Sequence, residues 1–314
     1  MTKDLEKLIG NTPLVDIAYK YKKQIRHAYF KCEWYNLTGS IKDRVALQIL
    51  KDAKRQGLLK NGQPIAETTS GNMGIAFAGV GAKLGHEVTI CMPQFMSEER
   101  KNLIRLYGAK LILVSSFEEG FATCKKLEKE GVYLTRQFEN PSNVKAYIRL
   151  AKEVEGKLNK NQLSSISGVI AGVGTSGTLM GLGGYMKKKY KTPIITVEPS
   201  RAALFSTGIS KDHHEIQGLS DNIIPALYDE KIVDEIIGVD DNDAIAMAQK
   251  LGRELGLSVG ISGGANFVAC AKYNKSHTLS VFPDDSKKYL STRLCDPINT
   301  PFVNNVTLIG YKVL

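Results

Sequence analysis

The segment HEVTICMPQFMSEERKNLIRLYGAKLILVSS, residues 86–116, carries one full turn of the theme that decides the fold. HEVTICMP, 86–93, is a short apolar run that reads as a buried strand. SEERKNLIRLYGAK, 97–110, has helical spacing with one charged face, and LILVSS, 111–116, reads as a strand again. Strand, helix and strand in succession call for right-handed crossovers onto a mostly parallel sheet covered by helices on both faces.

The theme recurs outside that segment. SGVIAGV at 167–173 is followed by a helix through about residue 188 and by the strand PIITVEP at 193–199. DNDAIAMAQKLGRELGL at 241–257 has helical spacing, and HTLSVFPD at 277–284 closes with a strand and a turn. The fold class is therefore α/β, with open twisted sheets. No internal repeat or low-complexity linker interrupts the chain. ENPSNVK, 139–145, is the best junction between two α/β series. In open sheets of this kind ligands bind beyond the carboxyl ends of the strands, so the loops there and a cleft between two domains are where chemistry is expected.

The bulk composition excludes several classes of function. The 314 residues are 43% hydrophobic and 24% charged, an ordinary globular balance. The formal charge of +10 suits an anionic partner. Yet the densest basic stretches, YKYKKQIRH at 19–27 and KKKYK at 187–191, match no nucleic-acid-binding pattern and read as solvated faces. Cys32, Cys91, Cys124, Cys270 and Cys295 are widely spaced and odd in number, which argues for a reducing, cytoplasmic setting. MTKDLEKLIGNTPL has charges where a signal core would lie, and no run of about 18 apolar residues occurs, so no membrane segment is expected. Neither HExxH nor a Cys/His cluster is present, and no metal is expected; His213 and His214 read as loop residues.

Four loops carry candidate chemistry. NLTGSIKDR, 36–44, runs into a helix that Ser40 and Asp43 can cap, with Lys42 in its first turn, where the dipole opposes an ammonium. Taken alone the stretch reads as a capped helix with a surface lysine; the other reading is an amine held partly neutral for Schiff-base chemistry. TTSGNMG, 68–74, gathers hydroxyls, small residues and the Asn72 amide at a helix start, a receptor for a carboxylate, although an ordinary strand-to-helix turn has the same outline. GVGTSGTLMG, 172–181, lacks the Gly-Lys-Ser/Thr of a nucleotide loop and the acid of a dinucleotide fingerprint. The N–H groups of Gly174, Thr175, Ser176, Gly177 and Thr178 suit a single phosphate monoester instead. VGISGGANF, 259–267, offers the Ser262 hydroxyl, and Gln137 and Gln217 are further polar candidates. An amine, two anion cradles and a hydroxyl sketch a pyridoxal phosphate site.

From IGNTPLV at 9–15 to DDSKKYLSTRL at 284–294, the motifs occur in the order of the cysteine synthase and cystathionine beta-synthase family, and the chain resembles that group of fold type II pyridoxal phosphate enzymes over nearly its whole length. The resemblance implies a fold like that of the tryptophan synthase beta-subunit, with pyridoxal 5'-phosphate in the interdomain cleft. A smaller mobile domain would span 37–145 and a larger one 1–36 with 146–314. It implies that Lys42 forms the internal aldimine, that Asn72 bonds the cofactor's phenolic oxygen, that Gly174 to Thr178 bind its phosphate and that Ser262 faces its ring nitrogen. Thr69, Ser70, Asn72, Met73 and Gln137 would receive the substrate carboxylate, and Gly218 would line the mouth.

The implied reaction is β-replacement on a serine-derived amino acid through an α-aminoacrylate, most simply O-acetylserine plus sulfide giving L-cysteine. The alternative is a cysteine lyase or desulfhydrase that releases sulfide, with water, cysteine or homocysteine as acceptor. A non-catalytic binding protein is the reading from another class. A homodimer is implied, with a serine acetyltransferase as a further partner. Four departures from the family pattern bear on the second substrate. Leu37 stands where proline is usual, Met73 stands where threonine is common, VKAYIRLAKEV follows NPSN, and a tail runs from Cys295 to Leu314. The acidic run YDEKIVDE, 228–235, offers a carboxylate for water activation in the lyase reading.

Overall fold

The computed structural model describes residues 2–208, 213–219 and 223–314. Helix α1 (Thr2–Leu8) precedes the hairpin β1 (Leu14–Tyr21) and β2 (Gln24–Cys32), and α2 (Lys42–Arg55) follows. The chain then folds as β3 (Ile65–Thr68), α3 (Asn72–Leu84), β4 (Val88–Pro93), α4 (Glu98–Leu106), β5 (Lys110–Val114), α5 (Phe117–Lys129) and β6 (Tyr133–Leu134), with β4, α4 and β5 formed by the segment 86–116. These four strands form one wholly parallel sheet in the order β5-β4-β3-β6.

The second series comprises α6 (Ser142–Lys157), α7 (Lys160–Ser164), β7 (Gly168–Gly172), a π turn over Leu179–Gly183 continued by α8 (Gly184–Tyr190), and β8 (Ile194–Pro199). After α9 (Leu204–Thr207) come β9 (Glu235–Val239), α10 (Asp241–Leu255), α11 (Ile261–Tyr273), β10 (Thr278–Phe282), α12 (Pro301–Asn304) and β11 (Thr307–Val313). Its strands join the N-terminal hairpin in a seven-stranded sheet, order β11-β1-β2-β10-β7-β8-β9. The run β2-β10-β7-β8-β9 is parallel, whereas β1 pairs antiparallel with both β2 and β11.

The helix expected over 97–110 ends at Leu106, because Gly108 adopts φ +79 and turns the chain into β5. The tail, left without a role, docks as the edge strand of the larger sheet, and its last residue, Leu314, donates its N–H to Leu14 O.

Helix α2 lies between the sheets. Its Leu47, Ile49 and Leu50 share one apolar core with Phe77 of α3, Leu150 of α6 and Leu279 and Val281 of β10. This core holds the first residue of α2, Lys42, where both sheets present their strand ends.

Candidate active site

Helix α2 begins at Lys42 itself. The expected capping pair is only partly formed: the Ser40 hydroxyl accepts from the Lys42 N–H at 3.2 Å instead of from Asp43. The Asp43 carboxylate reaches back to Thr38, taking its N–H at 2.8 Å and its hydroxyl at 2.5 Å. Burial pushes this carboxyl up to about 6, against the pull of the Thr38 bonds and of Lys288. Lys42 is thus aimed by a turn tied from both sides.

The loop between β3 and α3 supplies Thr69, Ser70, Asn72 and Met73. Gly71 takes φ +146, and a Cβ there would stand 2.3 Å from Arg100 Cδ, so the chain requires glycine. The Thr69 hydroxyl accepts from Gly71 N–H at 3.1 Å, and Asn72 becomes the first residue of α3. The loop after β7 supplies Gly174, Thr175 and Ser176, and helix begins at Gly177. A Cβ on Gly174 would meet Gly218 O at 2.3 Å, and one on Gly177 would meet Asn143 Oδ1 at 2.0 Å. Backbone therefore packs on backbone here, and the first-turn N–H groups, which have no partner within a helix, are left for an anion.

These loops surround one cleft. Lys42, Thr69, Ser70, Asn72, Met73, Gln137, Gly174, Thr175, Ser176, Gly177, Thr178, Gly218 and Ser262 all line it, so the candidates from the four loops meet at one place with Gln137 and Gly218. Lys42 Nζ donates to Thr175 Oγ1 at 3.5 Å, and Asn143 Nδ2 donates to the same oxygen at 2.9 Å. With two donors on its oxygen, the Thr175 hydroxyl has its own proton to give to an anion in the cradle. Among the described residues that line the cleft, the charged ones are Lys42 and Arg100, both cationic.

Beneath the Thr69 loop lies Glu67, fully buried. One oxygen accepts from Thr135 Oγ1 at 2.6 Å and Gln137 N–H at 2.9 Å, the other from Thr68 N–H at 3.0 Å. One carboxylate thus pins the two strand ends that deliver Thr69 and Gln137. Burial pushes it up to about 7, against the hydrogen bonds it receives.

Several residues of the site were not singled out from sequence. Asn143, in NPSN, bridges Thr175 Oγ1 and Gln137 O. Arg100 was read as part of the charged face of its helix, yet it is 1% exposed. Its position four residues before the buried Ile104, on the same helix face, was the available signal. Its Nη1 donates to Gln217 Oε1 and to Ser70 O, and its Nη2 to Tyr289 OH at 2.8 Å. Asp284 and Tyr289 follow the carboxyl end of β10, where the rule for open sheets points.

Other candidates lie elsewhere. In the acidic run, Asp229 caps a short turn by accepting from Lys231 N–H at 3.1 Å, and Asp234 pairs with Lys187 at 2.7 Å. No carboxylate of that run is among the described residues lining the cleft. The 220–222 end of EIQGLSDN lies outside the described residues. No group of His, Cys, Asp and Glu among the described residues is arranged to hold a metal, and no described helix is long and apolar enough to cross a membrane.

Comparison with known proteins agrees with this geometry. Residues 5–284 match the family described as pyridoxal-phosphate dependent enzyme. A cysteine synthase from Staphylococcus aureus is 36% identical over 306 residues, covering 93% of this chain and 96% of the relative. The crystal structure of a hydrogen sulfide-producing enzyme from Fusobacterium nucleatum superposes with a TM-score of 0.94 at 42% identity, covering 100% of this chain and 99% of the other. An aspartate-to-asparagine mutant of that enzyme has been crystallised with an α-aminoacrylate intermediate. O-ureido-L-serine synthase of Streptomyces lavendulae is 36% identical over 304 residues, covering 93% of this chain and 92% of the relative. A lysine at a helix start facing a glycine-built anion cradle, found in a chain that matches these relatives almost end to end, places the protein among the pyridoxal-phosphate dependent enzymes, in the cysteine synthase-like group.

Proposed function

We propose that this enzyme carries out β-replacement on a serine-derived amino acid, making L-cysteine from O-acetylserine and sulfide. The observation that carries the reading is the convergence of Lys42, the Thr69 loop, the phosphate cradle and Ser262 on one cleft. Gly174, Thr175, Ser176, Gly177 and Thr178 hold the phosphate of pyridoxal phosphate, and Ser262 faces its ring nitrogen. Asn72, whose Oδ1 is buried without a partner, meets its phenolic oxygen through Nδ2. The group fits these residues: a cradle closed to any Cβ, a hydroxyl with a proton to give, and an amide with one Nδ2 hydrogen beyond the one given to Asp284. Bound there, pyridoxal phosphate supplies the electron sink for a carbanion at Cα.

The chain's own residues do the rest. Thr69, Ser70, Asn72, Gln137 and the backbone at Met73 hold the substrate carboxylate, and Gly218 borders its entry. Lys42 Nζ takes the α-proton and later returns it, so it works best with a pKa near the operating pH. A hydroxyl rather than a carboxylate at Ser262 leaves the ring nitrogen neutral, which favours prompt loss of the β-substituent. We place residues 37–145 in a smaller domain that closes on the amino acid, and 1–36 with 146–314 in a larger one; the separate sheets support this division.

The opposite direction, sulfide release from cysteine, is favoured by one specific observation. The likeness to the sulfide-producing enzyme extends through the tail strand β11. Met73, buried against the core beside the carboxylate loop, brings no hydroxyl to that pocket. The enzyme is read as a cytoplasmic homodimer: the four buried cysteines and the exposed one are all free, and Leu113 on β5 with Ile309 and Tyr311 on β11 leaves apolar sheet edges for a second copy. A serine acetyltransferase would enter the cationic cleft by a carboxylate.

The test is a product-resolved screen by mass spectrometry, pairing O-acetylserine or cysteine with sulfide, water, cysteine and homocysteine. O-acetylserine with sulfide is expected to turn over fastest; sulfide released from cysteine far faster than cysteine forms would overturn the leading direction. Lys42→Ala is expected to lower turnover about 10³-fold, the range for a lost proton-transfer group.

A further inference from the structure

Asp284, which the proposed reaction does not use, sits at the carboxyl end of β10 and is wholly buried. Its Oδ2 accepts from Asn72 Nδ2 at 2.7 Å and from Tyr289 OH at 2.8 Å. Tyr289 OH in turn accepts from Arg100 Nη2 at 2.8 Å, and the Arg100 guanidinium lies over the Tyr289 ring, 4.8 Å from its centre. Arg100 then reaches across the cleft to Gln217 and back to Ser70 O. A continuous chain of donors and acceptors joins Gln217, Arg100, Tyr289, Asp284 and Asn72.

The carboxylate decides which way the Asn72 amide faces. Turned over, the amide would set Oδ1 against Asp284 Oδ2, oxygen against oxygen at hydrogen-bond distance. In the observed orientation Nδ2 spends one hydrogen on Asp284, and what Asn72 offers the cleft is its second Nδ2 hydrogen and an Oδ1 that has no partner. The rest of the array fixes the carboxylate. The backbone around Asp284 is bridged to Ser40, two residues before Lys42, and accepts Gly260 N–H at 3.1 Å. A Cβ on Gly260 would lie 2.1 Å from Asp284 Oδ1, so the side chain has no room to swing that way.

We propose that Asp284 is a positioning residue that holds Asn72 as a hydrogen-bond donor to the cofactor's phenolic oxygen and, through Tyr289 and Arg100, couples that donor to the position of Gln217 across the cleft. This rests on the assignment of Asn72 made above. Its effect is electronic as well as steric, because a fixed donor at the phenolic oxygen sets where the proton shared with that oxygen resides.

The readout is the absorption spectrum of the bound cofactor, together with cofactor retention and thermal midpoint, in the parent and in Asn72→Ala, Asp284→Ala, Asp284→Asn and Tyr289→Phe. Loss of one hydrogen bond corresponds to about a two- to tenfold change in the ratio of the long- to short-wavelength bands, and Asn72→Ala and Asp284→Ala are expected to change it in the same direction by that amount. Tyr289→Phe is expected to change it less. Asp284→Asn is expected to restore much of the parent spectrum, since its amide oxygen can still accept from Asn72. An altered spectrum in Asn72→Ala with parent spectra in the Asp284 and Tyr289 variants overturns the coupling and leaves Asn72 in its role. A parent spectrum in Asn72→Ala as well overturns both. Should Asp284→Ala fail to fold, an unaltered spectrum in Tyr289→Phe, with a lower thermal midpoint as its sole change, overturns the coupling by itself.

Discussion

The two strand-to-helix loops that flank the cleft do similar work by different means. After β7, the loop that opens at Gly174 is shaped by close approach: Gly174 rests on the Gly218 carbonyl, while Gly177 and Gly181 bring their helix onto Asn143, Val144 O and Tyr147 of α6. After β3, the Thr69 loop is held by side chains that carry charge, with Glu67 beneath it, Arg100 against Gly71 and Asp284 behind Asn72. The first loop is fixed chiefly by shape, through close contacts with backbone and neutral side chains. The second is held by groups that titrate or exchange hydrogen bonds, and so it responds to pH and to what occupies the cleft.

The sharpest way to break this contrast is to add one methyl group to each loop. In Gly177→Ala the new Cβ meets Asn143 Oδ1 at 2.0 Å and Tyr147 Cε2 at 2.6 Å, in the middle of packed backbone. Overpacking of this kind costs about 1–3 kcal/mol, so affinity for pyridoxal phosphate is expected to fall roughly ten- to a hundredfold in a titration of the cofactor-free protein. Unchanged affinity would mean that close packing does not shape the cradle.

Gly71→Ala should strike a different quantity. Its φ of +146 strains any side chain, and the clash is with the flexible stem of Arg100. Strain of about 1–3 kcal/mol at the loop proposed to receive the substrate carboxylate is expected to raise KM for the donor amino acid about tenfold, with cofactor affinity nearly unchanged. Equal losses of both would erase the distinction between the loops.

The same contrast explains what the sequence disclosed. A loop built from glycine and backbone writes its requirement into adjacent residues, so Gly174 to Thr178 and the βα alternation were legible. The supports of the other loop come from distant positions, 67, 100, 284 and 289, and no local pattern joins them. The N-terminal hairpin was missed for another reason. Its two-residue turn has Lys22 at φ +49 and Lys23 at φ +63, a conformation usually signalled by Asn-Gly, whereas lysines read as a basic face. The tail gains its meaning only from pairing with β1, nearly the whole chain away.

The smallest effect, and the one most specific to the charged loop, concerns Glu67. Its carboxyl binds a proton more tightly folded, at about 7, than at its ordinary value of 4.5. Between those two values the folded state therefore holds more protons than the unfolded one, and stability falls as pH rises through that window and levels off above it. The full fall is on the order of 3 kcal/mol for a wholly buried group, of which the part above pH 6 is roughly half. Asp43, pushed up to about 6, acts in the same direction but finishes its titration lower. Glu67→Gln removes the Glu67 contribution at every pH, so the difference in thermal midpoint between variant and parent isolates it from all other groups. That difference is expected to move in favour of the variant by a few degrees between pH 5.5 and pH 8, on the scale of about 2–4 °C per kcal/mol for domains of 150–250 residues. The amide also loses one acceptor for Thr68 N–H or Gln137 N–H, which lowers the variant's midpoint by a constant amount and leaves the slope intact. A pH-independent difference would show that the carboxylate stays ionised across this range, and the Thr69 loop would then be as insensitive to pH as its glycine-built counterpart.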